Sequence, residues 1–113
     1  MSDLTNMAID KKATLTYVQL MKEDLAVFRL VPEDGVIPDY ETGQFITLGM
    51  PIPNEDNKII RRAYSIASHP ENKRFIELVV RWVRKPLPGR VTTALFNAGE
   101  GNEVSWLPPT GAA

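Results

Sequence analysis

Between residues 75 and 84 apolar side chains recur at every second position, as Ile76, Leu78, Val80 and Trp82. Successive side chains of an extended strand point to opposite faces, so this spacing puts all four on one side, whereas a helix would scatter them. β-branched and aromatic residues dominate the run, which favours a pleated, half-buried surface. The pattern recurs at 25–31, where Ala26, Phe28 and Leu30 share a face, and at 44–50, where Ile46, Leu48 and Met50 do. Further strands are expected at 13–20, 59–68 and 103–107. Between them stand turn residues: Lys22-Glu23-Asp24, Pro32-Glu33-Asp34-Gly35, a loop from Pro51 to Lys58, and His69-Pro70-Glu71-Asn72. Many short strands separated by such signals fold as an antiparallel barrel or sandwich, with a barrel the favoured reading.

The period changes after Lys85-Pro86-Leu87-Pro88-Gly89. Val91, Leu95 and Phe96 recur at helical spacing, and Gly99 is placed to stop a short helix through a left-handed backbone. Gly101-Asn102 then turns into the last strand. Residues 1–11 read as a tail, and 12–113 as one all-β domain of six strands and one short helix.

Composition removes several function classes. There is no cysteine and only one histidine, His69, so disulfides, thiolate metal sites and multi-histidine centres are excluded. A net charge of -1 with interspersed signs lacks the basic excess of a nucleic-acid-binding surface. No apolar run approaches the roughly 20 residues of a membrane helix, and the first dozen residues carry no signal-peptide core. A cytoplasmic domain is the expectation.

Two groups of residues can carry chemistry. Arg62 and Tyr64 fall on one side of a strand, about 6.6 Å apart. A guanidinium offers fixed paired donors to phosphate, and a phenol offers a π-face and a hydroxyl. Ser65 falls on the opposite face and reaches the same ligand through its backbone N–H, or if the strand bends there. The same residues equally suit an ordinary half-exposed strand, with Tyr64 at its rim and Arg62 in water. Gly89-Arg90-Val91-Thr92-Thr93 opens the expected helix, whose unpaired N–H groups form an anion site, with the Thr92 and Thr93 hydroxyls as added donors. Alternatively a threonine there merely caps the helix. Together the two groups supply the parts that a flavin nucleotide needs.

Arg62-Ala63-Tyr64-Ser65-Ile66-Ala67-Ser68 resembles the Arg-x-Tyr-Ser-x-x-Ser flavin-binding motif of the ferredoxin–NADP reductase superfamily. Gly89-Arg90-Val91-Thr92 is similar to its downstream Gly-x-x-Ser/Thr phosphate motif. Tyr40-x-x-Gly43-Gln44-Phe45 and Gly101-Asn102-Glu103-Val104 resemble two further family segments, so the likeness runs from about residue 12 to 111. It implies a six-stranded antiparallel Greek-key barrel binding FAD, with FMN as the alternative. By that resemblance Arg62 holds the phosphates, Tyr64 stacks on the ring or bonds the ribityl chain, and Ser65 lies near the redox-active N5 as the catalytic candidate. The backbone of Ala63, Ser65, Val80, Arg81 and Trp82 borders the flavin; Gly89, Arg90, Val91 and Thr92 cradle the pyrophosphate. The whole protein would pass electrons between NAD(P)H and ferredoxin or a similar one-electron carrier.

Departures from the family pattern bound this reading. The closing Gly-Pro-x-Gly stands here as Pro108-Pro109-Thr110-Gly111. No Gly-x-Gly-x-x-Gly unit for a pyridine nucleotide occurs, since Gly99-x-Gly101 is a helix-to-strand turn. The expectation is a piece of a longer reductase, with NAD(P)H bound by another domain and this domain not competent alone. Rival readings are an oxygenase-reductase or electron-transfer subunit domain using FMN, and a flavin-free barrel serving as an interaction module. His69 reads as an exposed turn residue and Trp82 as core, with a lesser role at the flavin edge. Arg81, Arg84, Lys85 and Arg90 read as a solvated face that can also steer an acidic ferredoxin, and Glu55, Asp56, Glu100 and Glu103 as unpaired loop carboxylates.

Overall fold

The computed structural model describes residues 11–52, 55–83 and 89–111. Six strands and one helix follow in chain order: β1 (Lys11–Lys22), β2 (Leu25–Pro32), β3 (Phe45–Ile52), β4 (Lys58–Ser65), β5 (Ile76–Arg81), α1 (Arg90–Ala98) and β6 (Glu103–Thr110). All five strand pairings are antiparallel, in the order β4-β3-β6-β1-β2-β5. The last strand thus lies between the third and the first, a Greek-key ordering that a simple meander cannot give. Among the described residues the two end strands, β4 and β5, come together only at one end, around the Ile66–Leu78 bridge, so the barrel keeps an open seam on one side of it.

The alternating residues fill the interior. Ala26, Phe28 and Leu30 of β2, Ile46 and Leu48 of β3, and Ile76 and Leu78 of β5 are all 0% exposed. Leu95 and Val91 of α1 join them, so the helix plugs the barrel as its sequence spacing required. Gly99 ends that helix with a positive φ of 77°, which glycine adopts without steric cost. Both side-chain bonds of Asn102, to the carbonyls of Ala98 and Gly99, occupy orphan acceptors at the same terminus.

Several boundaries differ from the sequence expectation. β1 is longer at both ends because it pairs with β6 at one and with β2 to the hairpin, absorbing register shifts at Leu15/Tyr17 and Leu20/Lys22. β6 runs on through Pro108 and Pro109, since its late pairing with β3 is sparse, and a sheet tolerates proline where no ladder donor is needed. β4 stops at Ser65 and β5 at Arg81, both short of expectation. Trp82 is therefore not a core strand residue. Its backbone N–H still reaches Asp24 O at 2.7 Å, while its half-buried ring stacks on Phe96 of α1 at 5.1 Å. The residues expected as the tail fall outside the described ones, except Lys11, which begins β1.

Candidate functional site

β4 is an end strand, and that position exposes its motif. Leu48 and Ile46 of β3 are fully buried, yet the residues paired with them, Arg62 and Tyr64, are exposed and half-buried. Past the Ile66–Leu78 bridge no strand covers them, so the core-side face of β4 opens there. Arg62 donates from Nη1 to its neighbour's carbonyl, Arg61 O, at 2.7 Å. It pairs with Leu48 and Tyr64 pairs with Ile46, so the two side chains lie on one side of the strand, and the Arg62 charge acts on Tyr64.

Tyr64 carries the clearest mark of an incomplete site. Its phenolic oxygen is buried and has no hydrogen-bond partner among the described residues. Buried hydroxyls are normally satisfied. Burial pushes the phenol from 10.0 up to about 12, against the opposing influence of Arg62. The folded chain therefore holds this proton more tightly than the unfolded one. The resulting stability is full below about pH 10 and is lost as pH rises through about 12. Replacing Tyr64 with Phe removes the stranded donor, so the ligand-free chain is expected to gain about 1 kcal/mol. Urea denaturation checks this, and the variant's stability should lose its fall between pH 10 and 12.

Backbone direction completes the seam. In an antiparallel ladder alternate residues turn their N–H and C=O to opposite neighbours. Trp82 N–H bonds Asp24 O, so Val80 likewise spends its backbone groups on β2, where it faces Ala26. Arg81 and Val79 face the other way, toward β4. On β4 the bond from Ile66 N–H to Gln44 O puts Tyr64 and Arg62 in the β3 ladder. Ala63 and Ser65 then face the seam. On β5, Arg81 turns its backbone groups toward the same seam. Val80 has its side chain in the core, 2% exposed, and its backbone bonds directed away. Ser65 is exposed at the end of its strand.

The helix start is more occupied than its residue types imply. Thr92 is buried, and its hydroxyl donates to Gly89 O at 3.3 Å while accepting Val83 N–H at 3.2 Å. That hydroxyl fastens the turn into α1 and has no second proton to offer. Thr93 accepts the Trp82 indole N–H at 3.0 Å. The Arg90, Val91 and Thr92 amides, in the first turn of α1, have no backbone acceptor among the described residues. Val91 itself, 2% exposed, offers only backbone. A Cβ on Gly89 would lie 2.7 Å from Thr92 Oγ1 and 3.0 Å from Val83 Cβ. Gly89→Ala is therefore expected to break the Thr92 bonds and cost about 1–3 kcal/mol, read from the thermal midpoint.

Charges near the helix are already paired. Arg90 meets Glu55 at 2.7 Å and Arg81 meets Asp24 at 3.0 Å, which corrects the view of Glu55 as an unpaired loop carboxylate. Glu103 likewise pairs with Lys12 at 3.3 Å, and Glu100 accepts Val18 N–H. Arg84 and Lys85 lie outside the described residues. His69 sits exposed in its turn, accepting Glu71 N–H, as its sequence context required. A groove of about 580 Å³ runs along α1, bounded by Met50, Ile52, Arg90, Ala94 and Asn97. It adjoins Gly89 but not Arg62, Tyr64 or Ser65, so the motif residues form an open seam rather than the wall of this groove.

Two residues without a role from sequence stand at the closed end of the seam. Tyr40, 8% exposed, places its hydroxyl 3.0 Å from both Ser68 O and His69 O and 3.1 Å from Ser68 Oγ. Ser68 Oγ in turn accepts Glu77 N–H at 3.0 Å. A serine at the last position of an expected strand, beside a turn, was the available signal. Its partners lie too far away in sequence to be read from it. Among the described residues there is no cluster of metal-ligating side chains, and no helix is long and apolar enough to cross a membrane.

The residues present fit a flavin nucleotide: a buried phenol with no partner among the described residues, an adjacent guanidinium, two strand edges that part beyond one bridge, and the amides of a helix start. Comparison with known proteins agrees. The chain is similar to the flavohem-like FAD/NAD-binding domain of nitric oxide dioxygenase from Vibrio cholerae O1 biovar El Tor, with TM-score 0.81 and 26% identity, covering 92% of this chain and 45% of that one. It is also similar to the ferredoxin reductase of carbazole 1,9a-dioxygenase, with TM-score 0.73 and 25% identity, over 90% of this chain and 29% of that one. The fold is shared with a ferredoxin NADP+ reductase from Neisseria gonorrhoeae with bound FAD and NADP, at TM-score 0.75 and 18% identity, over 91% and 39%. The chain thus spans less than half the length of each of these structures. No curated protein sequence matches it. The sequence model of the family described as oxidoreductase FAD-binding domain matches residues 12–113. That match covers the whole barrel, and the chain belongs to the oxidoreductase FAD-binding domain family.

Proposed function

We propose that this domain holds FAD in the β4–β5 seam within a reductase that passes electrons between NAD(P)H and ferredoxin or a similar one-electron carrier. The observation that carries the reading is the buried, partnerless Tyr64 hydroxyl beside Arg62 on an uncovered strand face. In it Arg62 binds phosphate and Tyr64 donates its proton to the cofactor or packs against its ring. Backbone groups of Ala63, Ser65 and Arg81 bond the ring edge, with Ser65 assigned to its redox-active side. The amides of Arg90, Val91 and Thr92 receive the pyrophosphate, while Thr92 keeps Gly89 in position. Bound FAD supplies the hydride and single-electron chemistry that side chains lack. The protein's part is to orient it, exclude water from one face and hold the Tyr64 proton in place.

The similar FAD/NAD-binding domain and ferredoxin reductase support NAD(P)H and a redox protein as partners, each engaged with the help of another domain. A cytoplasmic location belongs to the same proposal and accords with a chain that contains no cysteine. The test is a visible spectrum of the purified chain before and after incubation with FAD and with FMN. A protein that stays colourless after both, once free flavin is removed, would refute the reading.

A further inference from the structure

The seam has one open end, where Arg62 and Tyr64 lie, and one closed end, where Ser68 and Tyr40 lie. What sets its width is therefore the closed end. Two contacts join β4 to β5 there: the Ile66–Leu78 bridge, which includes the bond from Ala67 N–H to Glu77 O at 2.8 Å, and the bond from Glu77 N–H to Ser68 Oγ at 3.0 Å. The first comes from the backbone. The second replaces a ladder bond with a side chain, at the point where the chain has left β4.

Proton counting fixes the direction of the network. Tyr40 has one hydroxyl proton, and Ser68 O and His69 O both lie 3.0 Å away to accept it. Ser68 Oγ, which already accepts Glu77 N–H, must then give its own proton to Tyr40 Oη, 3.1 Å away. A single chain of donation runs from Glu77 N–H to the Ser68 hydroxyl, to the Tyr40 hydroxyl and on to the carbonyls of the turn. Each member is oriented by the next, and Tyr40 is itself anchored in the core at 8% exposure. The anchor is non-local, since Tyr40 and Ser68 are 28 residues apart.

We infer that Ser68 and Tyr40 are positioning residues for the flavin: they hold the ends of β4 and β5 at the spacing at which the edges of Ser65 and Arg81 bond the ring. The inference rests on the proposed flavin site. Neither side chain touches the cofactor; both act through the strand ends, three residues beyond Ser65 on β4 and next to the first unpaired residues of β5. Losing the Ser68 hydroxyl leaves Glu77 N–H without its acceptor and cuts the link between β5 and Tyr40, whose bonds to the carbonyls of Ser68 and His69 remain.

The test uses the full chain and FAD, with Ser68→Ala, Ser68→Thr and Tyr40→Phe beside the parent. Three quantities are measured: FAD affinity, the band shape of bound FAD in the visible spectrum, and amide exchange at Glu77 in the flavin-free protein. Ser68→Ala and Tyr40→Phe are expected to weaken FAD about tenfold, as loss of one ordinary hydrogen bond does. They should also blur the fine structure of the bound band, and Ser68→Ala should speed Glu77 exchange. Ser68→Thr, which keeps the hydroxyl, should restore affinity and band shape. Parental affinity and band shape in both Ser68→Ala and Tyr40→Phe would overturn the inference, as would failure of Ser68→Thr to restore either. If Ser68→Ala does not fold, Tyr40→Phe decides by the same two optical readouts. A parent chain that takes up no FAD brings down the proposed site itself, a result distinct from a parent that binds and variants that bind equally well.

Discussion

Arg62→Ala is expected to raise the dissociation constant for FAD by about tenfold to a hundredfold, the loss of a charge-assisted bond to phosphate worth about 1.5–3 kcal/mol. The argument is geometric. Arg62 is exposed, and among the described residues its guanidinium makes one bond, to Arg61 O at 2.7 Å. Most of its donor capacity is thus left for a ligand. Arg62→Lys should recover only part of the affinity, since an ammonium keeps the charge but not the planar fork that matches two phosphate oxygens. Riboflavin, which has no phosphate, should bind the parent and Arg62→Ala equally. Stability should move by no more than about 0.5 kcal/mol, the usual effect at an exposed site. Titration of flavin absorbance or fluorescence reads all of these, and parental FAD affinity in Arg62→Ala would remove Arg62 from the site.

Phe28→Ala should be the most destabilising of the substitutions considered, at about 3–5 kcal/mol. Phe28 is 0% exposed in β2, between β1 and β5, so no surface rearrangement can fill the space it leaves. Its ring also meets Phe96 edge-on at 5.5 Å, and Phe96 stacks on Trp82. That link ties the barrel interior to α1, whose first turn carries the amides proposed to receive the pyrophosphate. Against the 5–15 kcal/mol typical of a domain, a loss of about 4 kcal/mol is a large fraction. The midpoint of urea unfolding should fall steeply, and flavin uptake should fall with it as α1 loosens. Val79→Ala is the control, because Val79 lies on the outer face of β5 at 50% exposure. It should change stability by about 0.5 kcal/mol at most. Equal losses in the two variants would contradict the assignment of inner and outer faces.

The alternation of apolar residues was enough to place the core. Ala26, Phe28, Leu30, Ile46, Leu48, Ile76 and Leu78 are buried where a period of two required, because strand side chains alternate whatever the partners. The helix spacing of Val91 and Leu95, and the stop at Gly99, were legible for the same local reason. So was the pairing of Arg62 with Tyr64 on one side. Strand ends were less legible. β4 and β5 end where their partners diverge, which is a property of the closing sheet rather than of either segment.

Which polar groups bond one another is a different matter, settled by the folded molecule. From residue types, Thr92 was a phosphate donor, yet it gives its proton to Gly89 O and accepts Val83 N–H. Val80 was a border residue, yet its backbone bonds run to β2, and Arg81 takes the seam. Arg90 read as part of a solvated face, yet it meets Glu55, 35 residues earlier in the chain. Ser68 was only the last letter of a motif, yet it joins two strands to a tyrosine 28 residues before it. A hydrogen bond depends on which two groups meet within about 3 Å, and sequence period carries that information only between near neighbours. The chain by itself fixed which faces are buried and which residue types stand near the seam. The folded barrel determined which of their protons remain available there.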